Sequence, residues 1–153
     1  MNTDTLDYDT IVVGGGPSGA TAATDLAKLG HRVLLLERGF RIKPCGGAIP
    51  PCLLEEFDIP EHLLVARIRS ARMVSPRGEE VDMPIDGTFV GMVDRDEFDP
   101  WLRQRAAQSG ATVVPGVFKH LEYRGNSVVL SYQTKDENPR TVTDRKSTRL
   151  NSS

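Results

Sequence analysis

Apolar residues fall along this chain in two kinds of block. The first kind is short and continuous. Ile11-Val12-Val13 is bounded by turn residues, as expected of a strand buried in a parallel sheet. An alanine-rich helical pattern follows and stops at Gly30, the expected C-terminal position for glycine. Residues 31–36 then read as a second strand, HRVLLL, ending in Glu37. Leu53, Leu54 and Phe57 lie at helical spacing and predict a short core-packed helix over residues 50–58. One more helical turn is expected over residues 61–65.

The second kind of block alternates. Ile68, Ser70, Arg72 and Val74 alternate with Arg67, Arg69, Ala71 and Met73. The turn Ser75-Pro76-Arg77-Gly78 then leads into a return strand over residues 80–83. Arginines 67, 69 and 72 read as a solvated strand face. Phe89 to Val93 predicts another short strand. Asp94 is placed to cap the helix after it, with Glu97 completing a capping box and Phe98, Trp101, Leu102 and Ala106 as its apolar face. Residues 111–114 predict a further buried strand. Residues 117–122 and 127–133 predict a second hairpin about Gly125-Asn126. Antiparallel material inserted into a parallel frame predicts an α/β fold, Rossmann-like, with part of a second, substrate-facing layer.

The junction between the first strand and the first helix carries the chemistry. It reads Gly14-Gly15-Gly16-Pro17-Ser18-Gly19, so Gly14, Gly16 and Gly19 have the spacing of a dinucleotide fingerprint. Gly14 allows the tight turn. Gly16 lets backbone approach a pyrophosphate. Gly19 lets helix and sheet pack closely, and Ala23 keeps the crossing small. Pro17 suits the first helical position. The helix N-terminus offers N–H groups and a positive dipole end to phosphates. Glu37 stands about twenty residues on, where a carboxylate accepts ribose hydroxyls. Its charge disfavours a 2′-phosphate, hence NADP, at this site.

Composition narrows the partners. One hundred and fifty-three residues make about one domain. A net charge of −2 and no Lys/Arg-rich block argue against nucleic acid. There is no secretory pattern at the start, and no run approaches about eighteen apolar residues. Cys45 and Cys52 are the only cysteines; they fit neither a zinc site nor a redox pair, which makes a reducing, cytoplasmic setting the default. The loop RGFRIKPCGGAIPP, with Arg41, Lys43, Cys45, Gly46 and Gly47, follows the second strand. Such loops sit at the ligand end of a parallel sheet. It reads equally as a cationic ligand loop or as a plain surface loop with an inert thiol. Arg95, in the first turn of its helix, reads either as an exposed cation, slightly unfavourable against the helix dipole, or as one with a ligand or partner.

The segments YDTIVVGGGPSGATAATDLAKLG, LLLERGFRIKPCGGAIPP, EFDIPEHLLVARIRSARMVSP and GMVDRDEFDPWLRQRAAQSGA together resemble geranylgeranyl reductases, nearest to the chlorophyll and bacteriochlorophyll branch. KPCGGAIPP and VDRDEFDPWL are the specific parts; the glycine fingerprint is shared by many flavoproteins. The resemblance implies a para-hydroxybenzoate hydroxylase-type flavoprotein, with a Rossmann-like FAD domain over residues 7–60 and 88–140 and a substrate layer at 61–87. It implies that Gly14, Gly16, Pro17, Ser18 and Gly19 hold the FAD pyrophosphate, and Glu37 with Arg38 the adenosine side. Arg95 resembles the arginine that reaches the ribityl and phosphate region, and Val117-Phe118 the strand that meets adenine. Cys45, Gly46 and Gly47 resemble the loop beside the isoalloxazine, with Cys45 the first residue to test near the reacting alkene. The implied reaction is reduction of geranylgeranyl double bonds to phytyl, with NADPH as donor. The implied substrate is a geranylgeranyl diphosphate or a prenylated (bacterio)chlorophyll, met at the periphery of a photosynthetic membrane. A flavin monooxygenase of the same superfamily and a non-catalytic dinucleotide-binding module are the alternatives.

The last ten residues, DRKSTRLNSS, lose all apolar periodicity and back-translate, codon by codon, into a common sequencing-library adapter. Residues 144–153 are therefore expected to be foreign to the protein and to carry no fold. Family members continue with a Gly-Asp segment at the flavin and most of the substrate domain. Weak FAD retention and no turnover are expected of this chain alone.

Overall fold

The structure, a computed structural model, describes residues 7–39, 45–135 and 139–145. The chain forms two compact units, Met1–Arg41 with Asp99–Ser153, and Ile42–Phe98.

In the first unit β1 (Thr10–Val13), β2 (Val33–Glu37) and β8 (Thr112–Pro115) form a parallel sheet in the order β1-β2-β8. Leu34 to Leu36 of β2 are 0–1% exposed, because both faces and both edges of that strand are covered. The expectation that β1 is also fully buried is corrected. β1 lies at the end of the strand order, and Val13 is 53% exposed. The helix α1 (Pro17–Lys28) has proline at its start and lays Ala20 and Ala23, both fully buried, inward. Thr24 is buried on the same face and donates its hydroxyl to the Ala20 carbonyl at 2.8 Å, so no polar atom is left unmatched there. Gly30 takes φ +85°, a left-handed value that stops the helix.

The rest of this unit is an antiparallel sheet of β9 (Val117–Arg124), β10 (Ser127–Gln133) and β11 (Pro139–Arg145), in the order β11-β10-β9. Its hairpin turns at Gly125, as the sequence predicts. Leu36, Leu130 and Tyr132 form a buried cluster against Ile11, Val114 and Val142, which joins the two sheets. Gly116 sits where they meet. A Cβ there would lie 2.7 Å from the Tyr132 ring and 2.8 Å from Leu36 Cδ1. Gly116→Ala is therefore expected to destabilise the unit by about 1–2 kcal/mol, since side chains rather than backbone must yield. The shift of the urea midpoint measures it.

β11 carries a correction. It pairs with β10 as far as Arg145, so Asp144 and Arg145, the first two residues of the expected foreign tail, lie in a strand. Main-chain pairing is indifferent to which residue continues the ladder. The Asp144 carboxylate also accepts the Ile11 N–H at 3.2 Å. Residues 146–153 of the expected foreign tail lie outside the described residues, as do Arg41 and Lys43 of the cationic loop.

In the second unit β3 (Ala48–Ile49), β4 (Leu64–Ile68) and β7 (Val90–Val93) form an antiparallel sheet, ordered β3-β7-β4. β5 (Ser70–Val74) pairs with β6 (Glu80–Pro84) alone. The single strand read from Arg67 to Val74 is therefore two strands in different sheets, parted at Arg69. Period-two alternation continues across the break, so periodicity does not reveal it. β7 pairs with β3 and β4, all within residues 42–98. The short helix α2 (Pro51–Glu56) leaves Leu53, Leu54 and Phe57 half-buried.

The β5–β6 hairpin is two-faced. Ala71 stands opposite Met83, and Met73 opposite Val81, making one apolar face. On the other face Arg72 binds Asp82 at 2.7 Å and Glu80 at 3.0 Å. Arg67 pairs with Glu61 and lies over the Phe89 ring. The arginines thus behave as a solvated strand face.

Candidate functional site

The site is built on the turn between β1 and α1. The Gly14 N–H donates to the Leu36 carbonyl at 2.8 Å, which fixes the turn to the end of β2. Gly14 has φ +107°, a conformation that a side chain would strain. Gly19 is where helix and turn close. A Cβ there would run into the Gly14 carbonyl oxygen and lie 3.4 Å from Val12 Cγ1. The third glycine of the fingerprint therefore does here what its spacing predicts. Gly16 is the N-cap of α1 and supplies no capping side chain, and the first turn holds no acid. Nothing anionic on the helix competes for the positive end of its dipole.

Glu37 ends β2 and reaches back to this turn. Its Oε2 accepts the Gly15 N–H at 2.5 Å and its Oε1 the Gly39 N–H at 3.2 Å. The acid and the glycine turn, 22 positions apart, are thereby one structural piece. A carboxylate has about four acceptor sites. The two bonds to backbone leave roughly two for an adjacent pair of hydroxyls. Arg38 is exposed beside it.

The start of β9 reaches the same place. Glu37 stands opposite Pro115, and the Gly116 N–H donates to the Glu37 carbonyl at 2.8 Å. This sets Val117 and Phe118, each 40% exposed, one and two residues beyond the acid's own backbone partner. Gly14 to Gly19, Glu37 and the Phe118 segment are therefore gathered in the first unit.

Cys45, Gly46, Gly47 and Arg95 belong to the second unit. Gly47 is buried against β7. Its carbonyl accepts the Val93 N–H at 2.9 Å, its φ is +68°, and a Cβ on it would meet the Val93 carbonyl. Two residues after Val93, Arg95 opens α3 (Arg95–Gln108). The Asp94 carboxylate accepts the Asp96 N–H at 2.9 Å, so Asp94 is the expected N-cap, but the Glu97 N–H that a capping box would bind to the carboxylate goes to the Asp94 carbonyl instead. The Cys-Gly-Gly loop is thus held at the beginning of α3, and the Cys45 thiol is exposed.

Sequence reasoning missed Arg103. It is half-buried on α3, and its Nη1 donates to the Gly15 carbonyl at 3.0 Å. Phe98 (4% exposed), Leu102 (2%) and Ala106 (0%) form the buried stripe of α3, as expected. Arg95, Asp99 and Arg103, four apart, run beside that stripe. This charged row is the signal that could have singled Arg103 out.

Known proteins resemble this chain in sequence and in fold. The FAD dependent oxidoreductase family matches residues 9–48, which hold the turn, Glu37 and the Cys-Gly-Gly loop. A geranylgeranyl diphosphate reductase of Rhodobacter capsulatus is 55% identical over 130 residues, 85% of this chain and 33% of that protein. A chloroplastic geranylgeranyl diphosphate reductase of Oryza sativa is 47% identical over 117 residues, 72% of this chain and 25% of its own length. Among solved structures, a geranylgeranyl bacteriochlorophyll reductase-like protein of Thermoplasma acidophilum superposes with a TM-score of 0.76 at 28% identity, over 90% of this chain and 37% of that one. The chain thus spans between a quarter and somewhat over a third of the length of these relatives. By its sequence and its mixed α/β fold, the chain is a homologue of proteins named geranylgeranyl diphosphate reductases, and its residues 9–48, which hold the glycine turn, match the FAD dependent oxidoreductase family.

Proposed function

We propose that this chain supplies the adenosine and pyrophosphate half of an FAD site in an enzyme that reduces geranylgeranyl double bonds to phytyl in chlorophyll or bacteriochlorophyll synthesis. The observation that carries the reading is the 2.5 Å bond from the Gly15 N–H to Glu37, which aims the acid at the turn. Bound FAD supplies hydride chemistry that no side chain can. The chain's own residues bind and orient. The α1 N-terminus faces the linked phosphates, and Glu37 takes the ribose diol on its remaining acceptor sites. The start of β9, with Phe118, supports the adenine. NADPH as electron donor rests on the resemblance alone, and a prenyl diphosphate or prenylated pigment as substrate on the resemblance and on the names of the relatives. A peripheral seat at a photosynthetic membrane follows from so apolar a substrate. Among the described residues no helix is long and apolar enough to cross a membrane.

Calorimetric titration of the purified chain tests the site. ADP is expected to bind saturably, and adenosine 2′,5′-bisphosphate at least about tenfold more weakly, because Glu37 opposes a 2′-phosphate. Absence of ADP binding, or the reverse preference, removes the reading. Cys45 is tested in the full-length protein. If it acts at the alkene, Cys45→Ser lowers turnover by about tenfold or more with flavin content unchanged. Unchanged turnover removes it from the chemistry.

A further inference from the structure

We propose that Arg103 is a positioning residue for the phosphate turn, holding Gly15 by its carbonyl while Glu37 holds the same residue by its N–H. The inference rests on the dinucleotide reading above.

Three contacts carry it. Arg103 Nη1 donates to the Gly15 carbonyl at 3.0 Å across 88 positions of sequence. Glu37 accepts the Gly15 N–H at 2.5 Å. The Arg103 stem also lies over Gly15, since a Cβ on that residue would fall 2.9 Å from Arg103 Cδ and 3.1 Å from Glu37 Cβ. One glycine is thereby clamped between a cation and an anion.

The clamp has two effects on binding. Glycine is the residue with most backbone freedom to lose, and here three stand in a row. A turn that is already fixed gives up less entropy when a ligand orders it. The second effect is electronic. The Gly15 carbonyl and the Gly16 N–H belong to one peptide group. A charged donor on that oxygen polarises the group and makes the Gly16 N–H, at the N-cap of α1, a stronger donor. Arg103 thus strengthens anion binding by way of the backbone.

The test uses the chain itself. Arg103→Met keeps the stem and removes the donors; Arg103→Lys restores a cation that can donate. Without nucleotide, amide exchange at Gly15, whose N–H is bound to Glu37, is expected to quicken by about fivefold or more in Arg103→Met and to return near the parent rate in Arg103→Lys, with Leu34 to Leu36 unchanged. The ADP dissociation constant is expected to rise about tenfold in Arg103→Met and to recover to within about threefold in Arg103→Lys. Arg103→Gln, which keeps a shorter stem and a neutral donor and leaves Glu37 untouched, provides an independent variant should Arg103→Met not fold. It is expected to show the same two changes, smaller. Parent-like exchange and affinity in the variant that folds overturn the inference and leave the dinucleotide site standing. Equal loss in Arg103→Met and Arg103→Lys also overturns it. If the parent chain takes up no ADP, the dinucleotide reading falls and the inference with it.

Discussion

Gly19→Ala is expected to cost the chain at least about 3 kcal/mol and to abolish nucleotide binding. The added methyl would run into the Gly14 carbonyl oxygen, a backbone atom in the turn whose N–H is fixed to Leu36. Neither partner can rotate away, so α1 must lift from β1 or the turn must open. Either movement removes the surface that faces the phosphates. Total stabilities run to about 5–15 kcal/mol, so this loss is a large share. Urea unfolding measures it, with Gly116→Ala as the milder comparison. A Gly19→Ala chain with parent stability would mean that the helix and turn are not in the contact described.

Glu37→Ala is expected to weaken ADP binding by about a hundredfold. Losing two charge-assisted hydrogen bonds to a ribose diol, each near the lower end of about 1.5–3 kcal/mol, gives roughly that factor. Stability should fall less, by about 1–2 kcal/mol, because water can reach the Gly15 and Gly39 N–H groups at this half-buried site. Glu37→Gln keeps one acceptor oxygen and should fall between. Calorimetry and urea titration of the three chains separate the two effects. A loss of stability without a loss of affinity would make Glu37 a brace for the turn and nothing more.

What the sequence disclosed here followed the range of the interaction. The glycine turn was legible because the duties of Gly14 and Gly19 are set by neighbours a few residues away. Glu37 was legible because a strand of known length carries it back to the turn. The Asp94 cap and the buried stripe of Phe98, Leu102 and Ala106 were legible for the same local reason. Arg103 was not, since only the folded chain brings its donor to Gly15. The break at Arg69 was missed because alternation is the same in one strand as in two. β1 was judged buried from composition alone, which does not distinguish an edge strand from a central one. β3 was missed because its partner, β7, lies far along the chain; β11 pairs with the strand just before it and was missed because Val142 is its one apolar residue besides proline.

The exposed face of the β5–β6 hairpin has a practical consequence. Met73 is 61% exposed and Met83 49%, and both lie on that one face. Thioethers so open to solvent are oxidised readily to sulfoxides. Mild peroxide followed by mass spectrometry would therefore mark both residues on the chain by itself. Slower marking of the pair in a longer form of the protein would report that something had come to rest over them.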